Sequence, residues 1–100
     1  MPPQTMPRIT AAVLARDNQD DIGPCLESVA WADERLVILD DRSADRTEEI
    51  ARAMGARVVH HPFRNFAEQR DVGLRHAGGD WLFYIDTDER ATPALGEEIR

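Results

Sequence analysis

Residues 36–48 read LVILDDRSADRTE, and the four apolar residues from Leu36 to Leu39 run straight into a polar loop opened by Asp40 and Asp41. A short apolar run bounded in this way fits a strand buried on both faces, as in a parallel sheet covered by helices. Asp45 and Glu48 then stand at capping-box spacing, Ile50 and Met54 share a helix face, and Gly55 supplies a stop. A helix over about 46–54 is expected.

Outward from this unit the pattern repeats. Ile9 to Ala15 (ITAAVLA) is a second apolar, partly β-branched run, followed by the polar stretch from Arg16 to Asp21. Ile22, Cys25, Leu26 and Val29 recur at helical spacing behind the cap candidates Asp20 and Asp21, with Pro24 tolerated in the first turn. Arg57 to His60 reads as a short peripheral strand closed by Pro62. Asn65 and Glu68 repeat the capping-box spacing, so a helix is expected over about 66–77, ended by Gly78 and Gly79. Trp81 to Ile85 (WLFYI) is a fourth buried strand, and Thr92 with Pro93 reads as the start of a further helix.

Strands alternating with helices predict an α/β fold: a Rossmann-like parallel sheet in the sequence β-α-β-α-β-α-β, with right-handed crossovers, strand order 3-2-1-4 and helices on both faces. Residues 1–8 read as a disordered amino-terminal segment and 9–100 as one domain. In such sheets ligands bind beyond the carboxyl ends of the strands, where strand order reverses.

Composition narrows the function classes. The 100 residues are 42% hydrophobic, enough for an ordinary core, and carry a net charge of −7. The first fifty residues hold 5 basic and 11 acidic side chains and the last fifty hold 7 and 8, which disfavours an electrostatic grip on nucleic acid. All 12 basic residues are arginine. The single cysteine, Cys25, excludes an internal disulfide and a cysteine-based zinc site. The sequence has no apolar run long enough to span a membrane and no basic-then-apolar leader, so a cytoplasmic protein is expected, with peripheral attachment at the inner face of the membrane as the alternative.

Candidate chemistry collects after strands one, two and four. Asp86-Thr87-Asp88 brings two carboxylates to a strand tip, where a divalent cation would offset their repulsion. Oxygen-only ligation favours Mg2+ or Mn2+ beside a nucleotide's phosphates, although solvated loop acids give the same tripeptide. Asp40, or Asp41 if the strand ends one residue later, would accept a nucleobase imide N–H, or simply face water. Asp45 reads as a helix cap. Arg70 would project toward a diphosphate or pair locally with Asp71 or Glu68, and Asp17 with Asn18 fits loop capping and ligand contact equally. His60 and His61 read as loop residues, His76 as a helix end, and Cys25, Met54, Trp31 and Trp81 as packing residues.

Taken together and in order, these motifs resemble the amino-terminal, nucleotide-sugar-binding half of a family 2 glycosyltransferase of GT-A fold, in the branch similar to lipopolysaccharide-core glucosyltransferases. The resemblance runs from Ile9 to Arg100 through ITAAVLARDN, CLESVAWADERLVILDDRSADRTEEIARAMGARVVHHPFRNFAEQRDVGL and GDWLFYIDTDERATPALGEEI. It implies transfer of a sugar from a nucleotide diphosphate donor, commonly UDP-linked, to an acceptor hydroxyl in cell-envelope polysaccharide or lipopolysaccharide synthesis. It also implies roles: Asp40 or Asp41 as the uracil-binding acid, Arg70 as a donor-binding arginine, and Asp86 and Asp88 as the pair that coordinates Mn2+ or Mg2+. Asp86 would also touch the donor. Arg16 and Asp17 fall where the family often has Lys-Asn-Glu against the nucleotide, and Asp71 falls where asparagine is usual.

The saccharide or lipid-linked acceptor and the catalytic base are expected beyond Arg100, so the chain alone is expected to bind donor without turnover. Self-association through the outer side of strand four and an apolar side formed by Trp81, Phe83 and Ile85 is expected too. A noncatalytic nucleotide-binding or assembly module is the alternative. A haloacid-dehalogenase-type phosphatase fits less well, because its Asp-x-Asp normally follows the first strand.

Overall fold

The computed structural model describes residues 8–91. Four strands and three helices alternate: β1 (Ile9–Ala15), α1 (Ile22–Ser28), β2 (Glu34–Leu39), α2 (Thr47–Ala53), β3 (Arg57–His60), α3 (Phe66–His76) and β4 (Trp81–Asp86). The strands form one parallel sheet in the order β3-β2-β1-β4, as the repeated strand-helix pattern predicts. The helix expected from Thr92 lies outside the described residues, as do residues 1–7 of the segment expected to be disordered. Arg8 is tied in, its backbone N–H donating to Asp80 Oδ2 at 3.0 Å.

Side-chain alternation divides the core in two. Ala11, Val13, Val37, Leu39 and Ile85 face one way, where Ile22, Cys25 and Leu26 of α1 and Ala51 of α2 cover them. Ala12, Leu36 and Ile38 face the other way beneath Val72 of α3, with Leu14, Val59, Leu82 and Tyr84 packed around them. The α3 side is therefore the smaller core.

Helix starts separate the capping expectations. Asn65 caps α3 as its spacing predicts, its side chain accepting from Glu68 N at 2.8 Å. Asp21 is the α1 N-cap but gives no side-chain cap bond; the Asn18 carbonyl accepts the Asp21 and Ile22 N–H groups instead, and Asp21 pairs with Arg90 at 3.2 Å. The Asp45–Glu48 capping box is not formed either. Arg46 is the α2 N-cap, Asp45 accepts from Thr47 and Gln19, and Glu48 turns to Arg52 and His60. Asp21 turns to a charged partner outside its helix, whereas Asp45 divides its carboxylate between the Gln19 N–H and the N–H of Thr47, the first residue of α2. Gly55 ends α2 with φ +84°, a conformation costly for any residue with a Cβ.

Trp81 is 64% exposed, so it is not the packing residue its apolar run suggests. It begins β4, which with β3 is one of the two edge strands among the described residues. The uncovered side expected around it is confined to its own end, because Phe83 tilts against Trp31 at 6.0 Å and Ile85 is buried under α1.

The turn into β4 depends on a close approach. A Cβ on Gly79 would sit 2.8 Å from the Arg8 carbonyl oxygen and 2.7 Å from Thr10 Oγ1. Backbone cannot withdraw as a flexible side chain can. Gly79→Ala is expected to cost about 1–3 kcal/mol in urea unfolding, the range for overpacking; a cost under about 0.5 kcal/mol would show that the turn gives way freely.

Candidate functional site

The site forms at the carboxyl edge of the sheet because a parallel sheet brings all its strand ends there. Leu39 pairs with Ala15, and Asp86 pairs with Leu14, so the residues that follow β2 and the last residue of β4 flank the end of β1. Alternation then sorts them. Ile38 and Tyr84 lie on the α3 side, as does Leu14, and two residues further along each strand stand Asp40, Asp86 and Arg16. Asp17 and Asp41, one residue on, fall out of phase.

A cleft of about 250 Å³ opens there between β1, β2 and α3. Ala15, Arg16, Asp40, Phe63, Phe66 and Gln69 line it. Asp40 is only 3% exposed, and both of its carboxylate oxygens are bonded. Arg42 donates its backbone N–H (3.1 Å) and Nε (3.4 Å) to Oδ1 and its Nη2 (3.0 Å) to Oδ2, and Arg16 Nη1 stands 3.8 Å from Oδ2. The side-chain bonds from Arg42 hold the Asp40 carboxyl below the usual carboxylate range, against the opposing effect of burial. Opposite the acid, Phe63 and Phe66 meet edge to face with ring centroids 5.0 Å apart, and Phe66 is 61% exposed. Gln69 is buried and held at both ends by His61, its Oε1 at 2.8 Å from Nδ1 and its Nε2 donating to the His61 carbonyl at 3.2 Å. An acid, an aromatic wall and a fixed amide suit a flat polar ring.

Other expected residues lie elsewhere. Asp17 is a loop staple rather than a cleft residue: its Oδ1 accepts from Ala44 N at 2.7 Å, its own N–H donates to Ser43 Oγ at 3.0 Å, and its φ is +49°. Asp41 is exposed on the far side, 3.9 Å from His60 Nδ1. Arg70 makes neither expected local pair; Asp71 pairs with Arg75, and Glu68 stands near His61 and Arg64. Its guanidinium lies 5.9 Å from the Phe66 ring, and it borders a shallow hollow with Leu82 and Tyr84 on the β4 flank of α3. Tyr84 donates to its carbonyl.

Asp86 ends β4 about 12 Å from Asp40, two strand spacings across β1 and two residues back along the strands, because Asp86 stands level with Leu14 and Ile38. Its backbone is held by Glu89, whose Oε1 accepts the Asp86 N–H at 2.8 Å. The carboxylates of Asp86 and Asp88 are exposed. Two hard oxygen donors on an open turn fit Mg2+ or Mn2+, which takes one or two carboxylates and fills its remaining positions from water and phosphate. Among the described residues no three His, Cys, Asp or Glu side chains form a ligand set, so such an ion would depend on its phosphate partners. Cys25 lies beneath the turn, its Sγ 3.4 Å from the Asp86 carbonyl oxygen, and burial pushes its thiol up to about 11. It is a packing residue.

The aromatic pair, Gln69 and Arg42 were not among the expected site residues. The signal for the first two was present: two phenylalanines flank a helix start in an otherwise polar loop, with Gln69 one turn later.

The chain matches the sequence profile described as Glycosyl transferase family 2 over residues 10–99. It is similar to the lipopolysaccharide core biosynthesis glycosyltransferase LpsC of Rhizobium meliloti, 30% identical over 94 residues that cover 89% of this chain and 34% of that protein. A TPR repeat-containing protein of Synechococcus elongatus is 31% identical over 96 residues, covering 95% of this chain and 24% of its own length. An uncharacterized glycosyltransferase of Rickettsia typhi, RT0209, is 27% identical over 94 residues, covering 94% and 32%. The chain thus spans between about a quarter and a third of these relatives. Its fold matches the crystal structure of S. aureus TarS 1-349 with a TM-score of 0.71 at 20% identity, over 92% of this chain and 31% of that one. With nearly its whole length matched by the profile, the chain belongs to glycosyl transferase family 2.

Proposed function

We propose that this chain binds the nucleotide diphosphate of a UDP-linked sugar donor, for transfer of the sugar to an acceptor hydroxyl in lipopolysaccharide or other cell-envelope polysaccharide synthesis. The observation that carries the reading is the common phase of Arg16, Asp40 and Asp86: three strand ends, one face, one edge. The base would enter the cleft, with Asp40 accepting its imide N–H and the Phe63–Phe66 pair against its ring. The diphosphate would then cross β1 toward β4, a span that the spacing between Asp40 and Asp86 fits. Arg16 at the cleft and Arg70 on the β4 flank of α3 supply positive charge along that path in a chain of net charge −7. The similarity to LpsC supports the lipopolysaccharide context.

Asp86 and Asp88 would hold Mn2+ or Mg2+, which when bound supplies neutralisation of charge on the departing diphosphate. The chain's own part is to orient the donor. Among the described residues no helix is long and apolar enough to cross a membrane.

Calorimetry with UDP, with and without Mn2+, tests the reading. The wild type is expected to bind weakly and more tightly with metal, and Asp88→Asn is expected to remove the metal-dependent gain, several-fold in affinity, while leaving metal-free binding unchanged. Metal-dependent binding untouched by Asp88→Asn would refute the metal assignment. Binding without sugar transfer is expected of the isolated chain; transfer would show that it also carries the group that deprotonates the acceptor.

A further inference from the structure

Arg42 is 58% exposed at the side chain, yet it has more polar contacts than any solvated arginine requires. Besides the three N–H groups it gives Asp40, its Nη2 lies 3.4 Å from the Phe63 carbonyl oxygen. It therefore spans two loops. The β2–α2 loop carries the acid of the cleft and the β3–α3 loop carries Phe63 of its aromatic wall; Arg42 joins the two loops, beside the interaction of the Asp40 carboxylate with the Phe63 backbone N–H.

We propose that Arg42 is the positioning residue of the base cleft, clipping the Asp40 carboxylate to the Phe63 loop so that acceptor and aromatic wall stand in one fixed arrangement for a nucleobase that presents an N–H. The inference rests on the donor-site reading above and adds the residue that makes the acid selective. A carboxylate has about four acceptor sites; Arg42 takes three, and a base N–H would share the fourth with the Phe63 backbone N–H. Lysine would not substitute, because a point charge cannot serve both carboxylate oxygens and a carbonyl at once.

The charges facing Asp40 are few. Arg42 comes from its own loop and Arg16 from the end of β1, while the cleft's contributions from α3 and the preceding loop, Gln69 and Phe63, are uncharged. His61 stands behind Gln69, beside Glu68. Loss of the Arg42 side chain would remove the Nε and Nη2 donors and leave the buried carboxyl the backbone N–H groups of residue 42 and Phe63 and the 3.8 Å contact to Arg16, and burial would then weigh more heavily toward its protonated form.

The test compares UDP with inorganic pyrophosphate, which shares the phosphates and lacks the base, on the wild-type chain, Arg42→Ala and Arg42→Lys between pH 3.5 and about 5.5, below the second phosphate ionisation near 6. Arg42→Ala is expected to weaken UDP about tenfold, to leave pyrophosphate within about twofold, and to shift the acid loss of UDP binding to higher pH. Arg42→Lys should fall between, and serves as the second variant if alanine unfolds the chain. Equal weakening of UDP and pyrophosphate would make Arg42 a phosphate contact and overturn the proposal. So would an unmoved acid limb in a folded variant. Failure of the wild type to bind UDP at all would overturn the donor-site reading and this inference with it, an outcome separate from the other two.

Discussion

Asp40→Asn is expected to weaken UDP binding by about ten- to a hundredfold while the chain stays folded, because a hydrogen bond to a charged acceptor is worth about 1.5–3 kcal/mol. The carboxylate oxygens take donors from Arg42 on one side and would take the base N–H on the other. An amide keeps one oxygen and turns its second position into a donor, which would meet Arg42 with the wrong polarity. Stability also changes with pH in a defined sense. Asp40 is held below its ordinary value by Arg42, so its contribution is present above the unfolded-state pKa of about 3.9 and is lost as pH falls through the lower folded-state value. Urea unfolding of wild type and variant should therefore differ at neutral pH and converge in acid. UDP affinity within twofold of wild type would remove Asp40 from the base site.

Much of this arrangement was legible because strands announce themselves by apolar continuity. Ile9 to Ala15 is β1 to the residue, and Gly55 and Asn65 mark ends that the backbone respects. The choice between Asp40 and Asp41 was also present, in the alternation carried past Leu39: Ile38 faces α3, so Asp40 does as well, and Asp41 does not. What the sequence does not carry is competition between partners. Asp21 and Asp45 have the residue type of a cap, but a cap bond is only one use of a carboxylate, and Arg90 and the Gln19 backbone lie far away in sequence. Asp17 likewise became a bridge between loops 27 residues apart. Trp81 and Ile85 sit in one apolar run, yet one is exposed and the other buried, because α1 reaches only the carboxyl end of β4.

The unequal division of the core has a mechanical consequence for the site. Of α3, only Gln69, Val72 and Gly73 are buried, and the apolar cluster beneath it is the smaller of the two. Ile38 lies fully buried in that cluster, and a Cβ on Gly73 would come within 3.2 Å of its Cδ1, so helix and strand touch with no slack. Ile38→Ala removes atoms from the place where α3 rests on the sheet. The expected loss is about 2–5 kcal/mol, the range for such truncations when the cavity cannot collapse. Because α1 and α2 pack on the opposite face, the loss should appear first as detachment of α3, the helix that carries Phe66 and Gln69 of the cleft. Hydrogen exchange would show it: amides of α3 should lose protection at lower urea than those of β1 and β2 in the variant, with UDP binding lost alongside. Uniform loss of protection across sheet and helices would mean that the two cores open as one unit and that the cleft has no weak wall.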